Sequence, residues 1–568
     1  MFTHIRKNWK IKIVLPVIIA IVLLTTTAWH ISTDSAPKMA IDKTLHKPTA
    51  TTVTPTMTPV VNTALEDLIT KAANSIFNTA VSSTKGITWA NEENNNGQGA
   101  EYDTDTDVGS AGIIREFIAL ASETTDPILK QKYLAEAKAA GDYLLAVAIP
   151  DPRSGGIRMP DYAGPNDTSD TSYTSEDDGA VGDAEVLIQL GTATGNTTYI
   201  QSAIKLLKWE IKQGTYSTDI NGVTCAPNTC MVFPWANDDP TRYNGIGMGE
   251  AGIMYAMAQF SEKLPDGTTY MQVAKSIASY LEIEMHNDSC GSGYTLPQPI
   301  AETGICGQDG DTEYDTGYVS GQAGNAFAFL YMYNVTKDIQ YLKDAEVLLG
   351  WLTVHSSTEN FSATEKARYW EIAFDPQGGD STLQATGVEE GSAGILSVFM
   401  EAYNVMKANN ISGGEAYLQT AKEGGNWLIK NAITMPDSGY AWYEDANDTT
   451  SPMHTGLDNG AAGIGMVLHG LAIVTNDKAY DKYATGAMQW ITNIAHSDSK
   501  DGVYWYESYT MKNNKLIPGN ITKDASWHWG AAGITAFLEW MNGKGVYMPG
   551  EQPAIITVLP TAVRYTMQ

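Results

Sequence analysis

Ionisable side chains stand directly before a short glycine motif that recurs along the chain. Converging carboxylates beside a histidine can transfer protons as acid and base, as glycoside cleavage requires, or can bind a hard cation through their oxygens. Helix capping explains part of the pattern, because Asp and Asn favour helix N-termini. We predict catalytic roles for Glu389, Glu390, Asp458 and His528, and substrate contacts for Asp107, Asp177 and Asp178.

Large aromatic side chains occur in the loops around these positions. Aromatic faces beside carboxylates suit sugar rings, although Trp and Tyr in repeat loops also serve as packing residues. The tryptophans that we predict to contact a carbohydrate are Trp235, Trp370, Trp442, Trp527 and Trp529.

The glycine motif is Gly-x-Ala-Gly, with Val for Ala in the second copy, and it marks seven repeats of about 70 residues. Its second glycine falls at positions 112, 182, 252, 324, 394, 463 and 533. An apolar helix, a polar turn and an amphipathic helix follow each motif. Because the first helix opens with small residues and is apolar nearly all round, we predict that it is the inner helix of each pair.

The two ends of the repeat region predict ring closure. The seventh repeat has an inner helix, but glycines and a proline stop the chain before an outer helix begins, and residues 63–82 form a helix with no inner partner. An N-terminal helix that completes the last pair removes both exposed ends. We predict an all-α fold, a closed (α/α) toroid of seven helix pairs with short β-hairpins in the loops between repeats.

The N-terminus resembles an export signal, with basic residues followed by an apolar run at 13–24. We predict a cytoplasmic basic segment at 1–12, a signal anchor at 13–30, a Thr/Pro-rich stalk at 31–61, the toroid at 62–545 and a C-terminal extension at 546–568. The expected localisation is therefore the cell membrane, single-pass, with an extracellular folded domain. Asn-x-Ser/Thr acceptor sequences consistent with a glycoprotein occur at Asn166, Asn196, Asn287, Asn334, Asn360, Asn410, Asn447 and Asn520.

The cysteine spacing indicates disulfides or a metal, and the net charge limits the classes of molecule that the chain is expected to bind. Cys225 with Cys230, and Cys290 with Cys306, are close pairs that predict two disulfides in an exported protein, with zinc binding as the alternative. A net charge of −29 disfavours nucleic acid, which is bound through Lys and Arg. We expect a monomer that contacts the membrane only through its anchor, with a carbohydrate or a cell-envelope component as its partner.

Seven helix pairs, each introduced by Gly-x-Ala-Gly, resemble the lanthionine synthetase C-like family over residues 62–545; a six-pair sugar-processing toroid is the alternative. In the cyclases of that family, zinc is held by a Cys two residues before the first motif glycine of the fifth repeat. The other two zinc ligands are an adjacent Cys and His directly before the first motif glycine of the sixth repeat. The matching residues here are Glu389, Asp458 and Asn459, so the zinc-thiolate chemistry that activates a thiol is not expected.

Three functions remain open from the sequence. The first is a toroid that binds or cleaves carbohydrate in an acidic, aromatic-lined cavity, with glycoside hydrolase-like chemistry if it is an enzyme. The second is calcium binding, because Asp103, Asp105 and Asp107 alternate as oxygen ligands do, and a similar series runs from Asp309 to Asp315. The third is a surface scaffold for a peptide or envelope protein, or a zinc-independent peptide-modifying homologue. We expect no cofactor apart from this calcium and no zinc.

Overall fold

The computed structural model describes residues 63–90, 102–164, 168–220, 222–286, 314–374, 382–436, 438–513, 515–521 and 523–543. By its internal contacts the chain divides into Met1–Thr58 and Pro59–Gln568, and every described residue belongs to the second unit. The predicted basic segment, anchor and stalk, and the C-terminal extension, lie outside the described residues.

The described part of the chain is mostly helical. After α1, each of the first six repeats contributes an inner helix followed by an outer helix, and the seventh repeat contributes the inner helix α14. They are α1 (Thr63–Thr79), α2 (Ser110–Glu123), α3 (Pro127–Val147), α4 (Ala180–Thr194), α5 (Thr197–Gln213), α6 (Glu250–Lys263), α7 (Gly267–His286), α8 (Gln322–Thr336), α9 (Ile339–Val354), α10 (Ser392–Ala408), α11 (Gly414–Lys430), α12 (Ala461–Thr475), α13 (Lys478–Asn493) and α14 (Ala531–Met541). The even-numbered helices begin at the motifs and are buried around most of their circumference, which confirms that they are the inner ones.

Short antiparallel strands fill the loops. They are β1 (Val81–Ser83), β2 (Gly86–Thr88), β3 (Ile149–Asp151), β4 (Gly156–Arg158), β5 (Thr215–Tyr216), β6 (Asp219–Ile220), β7 (Val223–Thr224), β8 (Met231–Val232), β9 (Tyr314–Asp315), β10 (Ser357–Asn360), β11 (Lys366–Tyr369), β12 (Ala373–Phe374), β13 (Ile433–Thr434), β14 (Tyr440–Ala441), β15 (Met453–His454), β16 (His496–Ser497), β17 (Val503–Tyr504), β18 (Ser508–Lys512) and β19 (Lys515–Pro518). A disulfide joins Cys225 and Cys230 between β7 and β8, whereas Cys290 and Cys306 lie outside the described residues.

The polar turns between inner and outer helices act as helix N-caps. The side chains of Asp126, Asp338 and Asp477 accept backbone N–H groups at the starts of α3, α9 and α13. Asn196, one of the predicted glycosylation acceptors, does the same for α5 by accepting the Thr198 N–H at 3.1 Å. Capping satisfies donors that the first helical turn leaves without partners, so each outer helix starts at a fixed residue.

The second glycine of every motif is required by a close backbone approach. A Cβ at any of the seven positions would lie well inside van der Waals contact with the carbonyl oxygen six residues earlier in the chain. That carbonyl belongs to the loop entering the inner helix, so the glycine lets this loop fold tightly against the first helical turn. The second glycine of the repeat motif is therefore explained by packing.

The ring is closed, as predicted. Each inner helix packs against the inner helices of the two adjacent repeats, and α14 packs against both α12 and α2. Helix α1 packs on α14 and so supplies the seventh outer helix from the opposite end of the chain.

Backbone hydrogen bonds between the loops that enter the inner helices also form a closed cycle. We call the position two residues before the first motif glycine the collar; its residues are Asp107, Asp177, Gly247, Val319, Glu389, Asp458 and His528. From the second repeat to the seventh, the collar N–H donates to the collar carbonyl of the next repeat at 2.9–3.3 Å, ending with His528 to Asp107. In the first repeat the N–H of Thr106 donates to Asp177 at 3.1 Å. These bonds bring all seven collar residues to one end of the ring.

No helix in the described ranges is long and apolar enough to cross a membrane. This finding contradicts the predicted localisation in the cell membrane. The apolar helices here are the inner ones, which contain 11 to 17 residues, whereas a span needs about 20, and their apolar surface packs against neighbouring helices.

An ion pair between α4 and α6 has a buried carboxylate and a partly exposed ammonium group. Lys263 Nζ lies 2.8 Å from Glu185 Oε1, and the Glu185 side chain is completely buried. Lys263→Ala would remove this charged donor and leave Glu185 with the Gln259 amide, which donates at 3.4 Å, so we expect a loss of about 1–3 kcal/mol in the free energy of unfolding. Chemical denaturation measures this loss. Lys71→Ala, which breaks the exposed Lys71–Asp67 pair, is the control and should cost much less, because both of its partners are in water. Equal losses in the two variants would contradict the prediction.

Candidate functional site

The ionisable residues of the collar all lie on one side of the ring. Repeats five, six, seven, one and two are consecutive around the closed ring, and each carries an ionisable collar side chain, whereas repeats three and four carry Gly247 and Val319. We call the ionisable group the acidic arc; it consists of Glu389, Asp458, His528, Asp107 and Asp177. Ring closure creates this arc, because it places the seventh repeat beside the first.

His528 is at the centre of the arc and contacts its neighbour on each side. Its Nδ1 lies 2.8 Å from Asp107 Oδ1 and 3.1 Å from Asp458 Oδ2. Burial alone would lower the pKa of His528, but the charges of Asp458 and Asp107 and their hydrogen bonds outweigh it and hold the pKa well above its usual value.

Asp177, at one end of the arc, has an altered acidity. Burial raises the pKa of Asp177 to about 7, His528 opposes this rise, and Asp107, Asp178 and Asp458 add to it. A carboxyl with this pKa is partly protonated at neutral pH, whereas an ordinary aspartate is fully ionised. The arc thus contains acidic groups in different electrostatic environments.

The two glutamates predicted to be catalytic have different surroundings. Asn459 Nδ2 donates to Glu389 Oε2 at 2.8 Å, so the half-buried Glu389 is oriented at the other end of the arc. Glu390 lies outside the arc, and its Oε1 accepts the Ser320 backbone N–H at 3.1 Å and the Ser320 hydroxyl. Burial raises the pKa of Glu390. Through these bonds Glu390 links the fourth and fifth repeats, and its predicted catalytic role stays a prediction.

Most of the predicted aromatic contacts are packing residues. Trp370 and Trp442 follow β11 and β14, are buried, and donate their indole N–H groups to the carbonyls of Leu352 and Leu428 at 2.7 Å. These carbonyls lie in the last turns of outer helices, where no helical N–H is available to them. Trp527 is also buried. All three tryptophans are thus buried, and their predicted contacts with a carbohydrate stay predictions.

Two tryptophans remain half-buried near the collar. Trp529 directly follows His528 in the chain, and its ring lies edge to face with the His454 ring, with centroids 5.5 Å apart. Trp235 lies between Tyr173 and Tyr243, with centroid distances of 4.8 and 5.2 Å. Their partial exposure leaves aromatic surface available to a ligand.

A second histidine cluster was missed from the sequence. His454 Nε2 lies 3.5 Å from Glu444 Oε2, and its Nδ1 lies 3.7 Å from Glu507 Oε1. The two glutamates end equivalent Trp-Tyr-Glu sequences in successive repeats, and this repetition is the signal that could have identified them. Because His454 contacts Trp529, the cluster extends the polar surface beyond the collar.

Two of the aspartates predicted as calcium ligands have separate hydrogen-bond partners. Asp105 Oδ1 accepts the N–H groups of Val108 and Gly109 at 3.0 and 2.8 Å, which caps the turn before α2, whereas Asp107 contacts His528. Most of the similar series that ends at Asp315 lies outside the described residues. Calcium binding by either series stays a prediction.

A profile of the lanthionine synthetase C-like protein family matches residues 249–547. Among solved structures, nisin cyclase is 11% identical, with 87% of this chain and 97% of that chain covered and a TM-score of 0.49. A sugar epimerase from a ruminal bacterium is 12% identical, with coverages of 86% and 99% and a TM-score of 0.44. A family 76 glycoside hydrolase from a bovine Bacteroides thetaiotaomicron strain is 13% identical, with coverages of 85% and 77% and a TM-score of 0.41. No curated protein sequence matches the chain.

The family's zinc-thiolate site does not fit the residues at the matching positions. Glu389 and Asp458 replace cysteines, and Asn459 replaces the histidine. The Asn459 amide nitrogen has no lone pair for a metal and donates to Glu389. No thiolate is present to form the soft ligand set of that zinc site.

Proposed function

The chain belongs to the lanthionine synthetase C-like family, and from this premise we propose that it binds a carbohydrate at the acidic arc and cleaves it by acid and base chemistry. The observation that carries the proposal is the row of five ionisable side chains on consecutive repeats, next to the half-buried Trp529. The misfit of the zinc-thiolate residues directs the proposal away from lanthionine formation.

The distribution of polarity around the collar suits a neutral sugar. A sugar ring presents hydroxyl groups at its edge and an apolar face, and carboxylates accept hydrogen bonds from hydroxyls while an aromatic ring packs on the face. The arc provides the acceptors, and Trp529 provides an aromatic surface beside them. A neutral ligand also avoids the repulsion that the acidic arc would exert on an anion.

Two carboxyl groups are placed to exchange protons with such a ligand. Glu389 and Asp177 lie at opposite ends of the arc, on either side of the His528 cluster, and both are half-buried. Glycoside cleavage uses one carboxyl to protonate the leaving oxygen and another to activate water or attack the sugar. We assign these roles to Glu389 and Asp177 as a pair, with His528 and its two aspartates between them.

The test combines binding and product release by the full chain with a panel of neutral oligosaccharides. Glu389→Gln should reduce product release by a factor of about 10²–10⁴ with little loss of binding, because the amide keeps the shape but cannot exchange the proton. Trp529→Ala should weaken binding about tenfold, as expected for the loss of an aromatic contact.

Glu415→Gln, on the exposed face of α11, is the matched control and should change neither quantity. Binding without product release in the unaltered chain would support a binding module and contradict the enzymatic part of the proposal. If no neutral sugar binds, the proposed function is wrong.

A further inference from the structure

Three ligand-type atoms from distant parts of the chain converge at the centre of the acidic arc. One oxygen each from Asp107 and Asp458, and one ring nitrogen of His528, all lie within 4.8 Å of one another. The three residues are 8%, 5% and 5% exposed. They occupy equivalent collar positions of the first, sixth and seventh repeats, which the collar hydrogen bonds hold side by side.

We propose that Asp107, Asp458 and His528 form a binding site for one divalent transition-metal ion of the Mn²⁺, Fe²⁺ or Zn²⁺ type. Two carboxylates and one imidazole form the ligand set that such ions accept when further positions stay open for water or a substrate. Calcium is the wrong ion for these donors, because it takes six to eight oxygen ligands.

Hydrogen-bond valence is the first argument for a cation. Nδ1 of His528 carries at most one hydrogen, yet one carboxylate oxygen lies 2.8 Å from it and another lies 3.1 Å from it. A single N–H that is shared between two acceptors makes two bent and therefore weaker hydrogen bonds. A metal ion bound to the nitrogen lone pair and to both oxygens satisfies all three atoms at once.

The distances agree with this arrangement. Ligands bound at about 2.0–2.2 Å and at right angles to one another lie about 3 Å apart. The two separations from Nδ1, 2.8 and 3.1 Å, fall on either side of that value. Both nitrogen–oxygen pairs therefore have the spacing of adjacent ligands on one ion.

The burial of the two carboxylates is the third argument. Asp107 and Asp458 are 8% and 5% exposed. Buried carboxylates are costly without counter-charge, and a divalent ion between them supplies that charge.

The site differs from the ligand set that the family resemblance implies. That set comes from the fifth and sixth repeats and includes two cysteines, whereas this one spans the sixth, seventh and first repeats and has hard oxygen ligands. Asp458 occupies one position of the family's ligand set, whereas His528 and Asp107 come together only through ring closure.

The metal alone tests the inference, with no sugar present, so its outcome is separate from that of the proposed carbohydrate function. The full chain is stripped with a chelator, dialysed, and titrated with Zn²⁺ and with Mn²⁺ by calorimetry, and retained metal is counted by mass spectrometry. We expect one ion per chain. Asp458→Asn and His528→Gln should each weaken binding by about 100-fold or more, since even loss of a residue behind the ligands costs 10–100-fold.

Glu389→Gln, which alters a neighbouring carboxylate but no proposed ligand, should retain the stoichiometry of one. Circular dichroism and thermal unfolding of each stripped variant establish that it is folded. An Asp107→Asn, Asp458→Asn double variant that is folded and still binds one ion with unchanged affinity would overturn the site. So would the absence of saturable binding of either ion by the unaltered chain.

Discussion

Gly463→Ala is expected to lower the free energy of unfolding by about 3 kcal/mol, at the upper end of the usual cost of overpacking. The added methyl group would collide with the carbonyl oxygen of Leu457, which is backbone and cannot rotate away. Relief would require moving the loop that carries Asp458, and the Asp458 N–H donates to the His528 carbonyl at 3.2 Å. Denaturant unfolding monitored by tryptophan fluorescence measures the loss.

Gly414→Ala is the matched control for this substitution. Gly414 begins α11, and the nearest atom to its added methyl group would be the Met406 Cβ at 3.3 Å. We expect a change within about 1 kcal/mol, because the slightly tight side-chain contact is opposed by the higher helix propensity of Ala. A Gly463→Ala chain as stable as the Gly414→Ala chain would show that the loop can relax, contrary to our explanation of the motif.

A chain that begins at residue 81, and so lacks α1, is expected to lose cooperative unfolding. Leu65, Ile69 and Ile76 are buried, and full burial of each contributes about 1.5–3 kcal/mol, or about 5–9 kcal/mol together. This is comparable with the whole stability of a typical domain, about 5–15 kcal/mol. The deletion also exposes the surface of α14 that α1 covers. Calorimetry and the denaturant slope measure the loss of cooperativity.

The control for this deletion is a chain that begins at Pro59 and keeps α1. It should unfold in one transition, and a synthetic peptide of residues 59–80 should restore stability to the shorter chain in a concentration-dependent manner. If the chain that begins at residue 81 unfolds as cooperatively as the control, closure by α1 does not stabilise the ring.

The fold was predictable because the features that determine it are local and repeated. The second glycine at a constant period marks the start of each inner helix, and the unpaired helix at 63–82 indicates how the ring closes. The apolar run near the N-terminus was a weaker guide. Basic residues followed by this run predicted a membrane protein, and the described helices contradict that prediction because none is long and apolar enough to span a bilayer; the run itself lies outside the described residues.

The site was only partly predictable, because its contacts join residues remote in sequence. Asp458 and His528 were identified as candidates, but the pairing of His528 with Asp107 depends on the geometry of the last and first loops in the closed ring. The tryptophans show a second limit. Trp370 and Trp529 both stand beside ionisable residues in the sequence, yet a strand directs the first towards the core. Periodicity carries no information about that direction.

The hydrogen bond from the His528 N–H to the Asp107 carbonyl joins residues 421 positions apart (528 − 107). At about 5–20 residues per second, a ribosome takes roughly 20–80 s to synthesise the chain between them. During that time the nascent chain is an open arc, and the face of α2 that will meet α14 is uncovered. The acidic arc is completed only when the seventh repeat leaves the ribosome, so a truncated translation product that ends before His528 contains neither a closed ring nor a complete site.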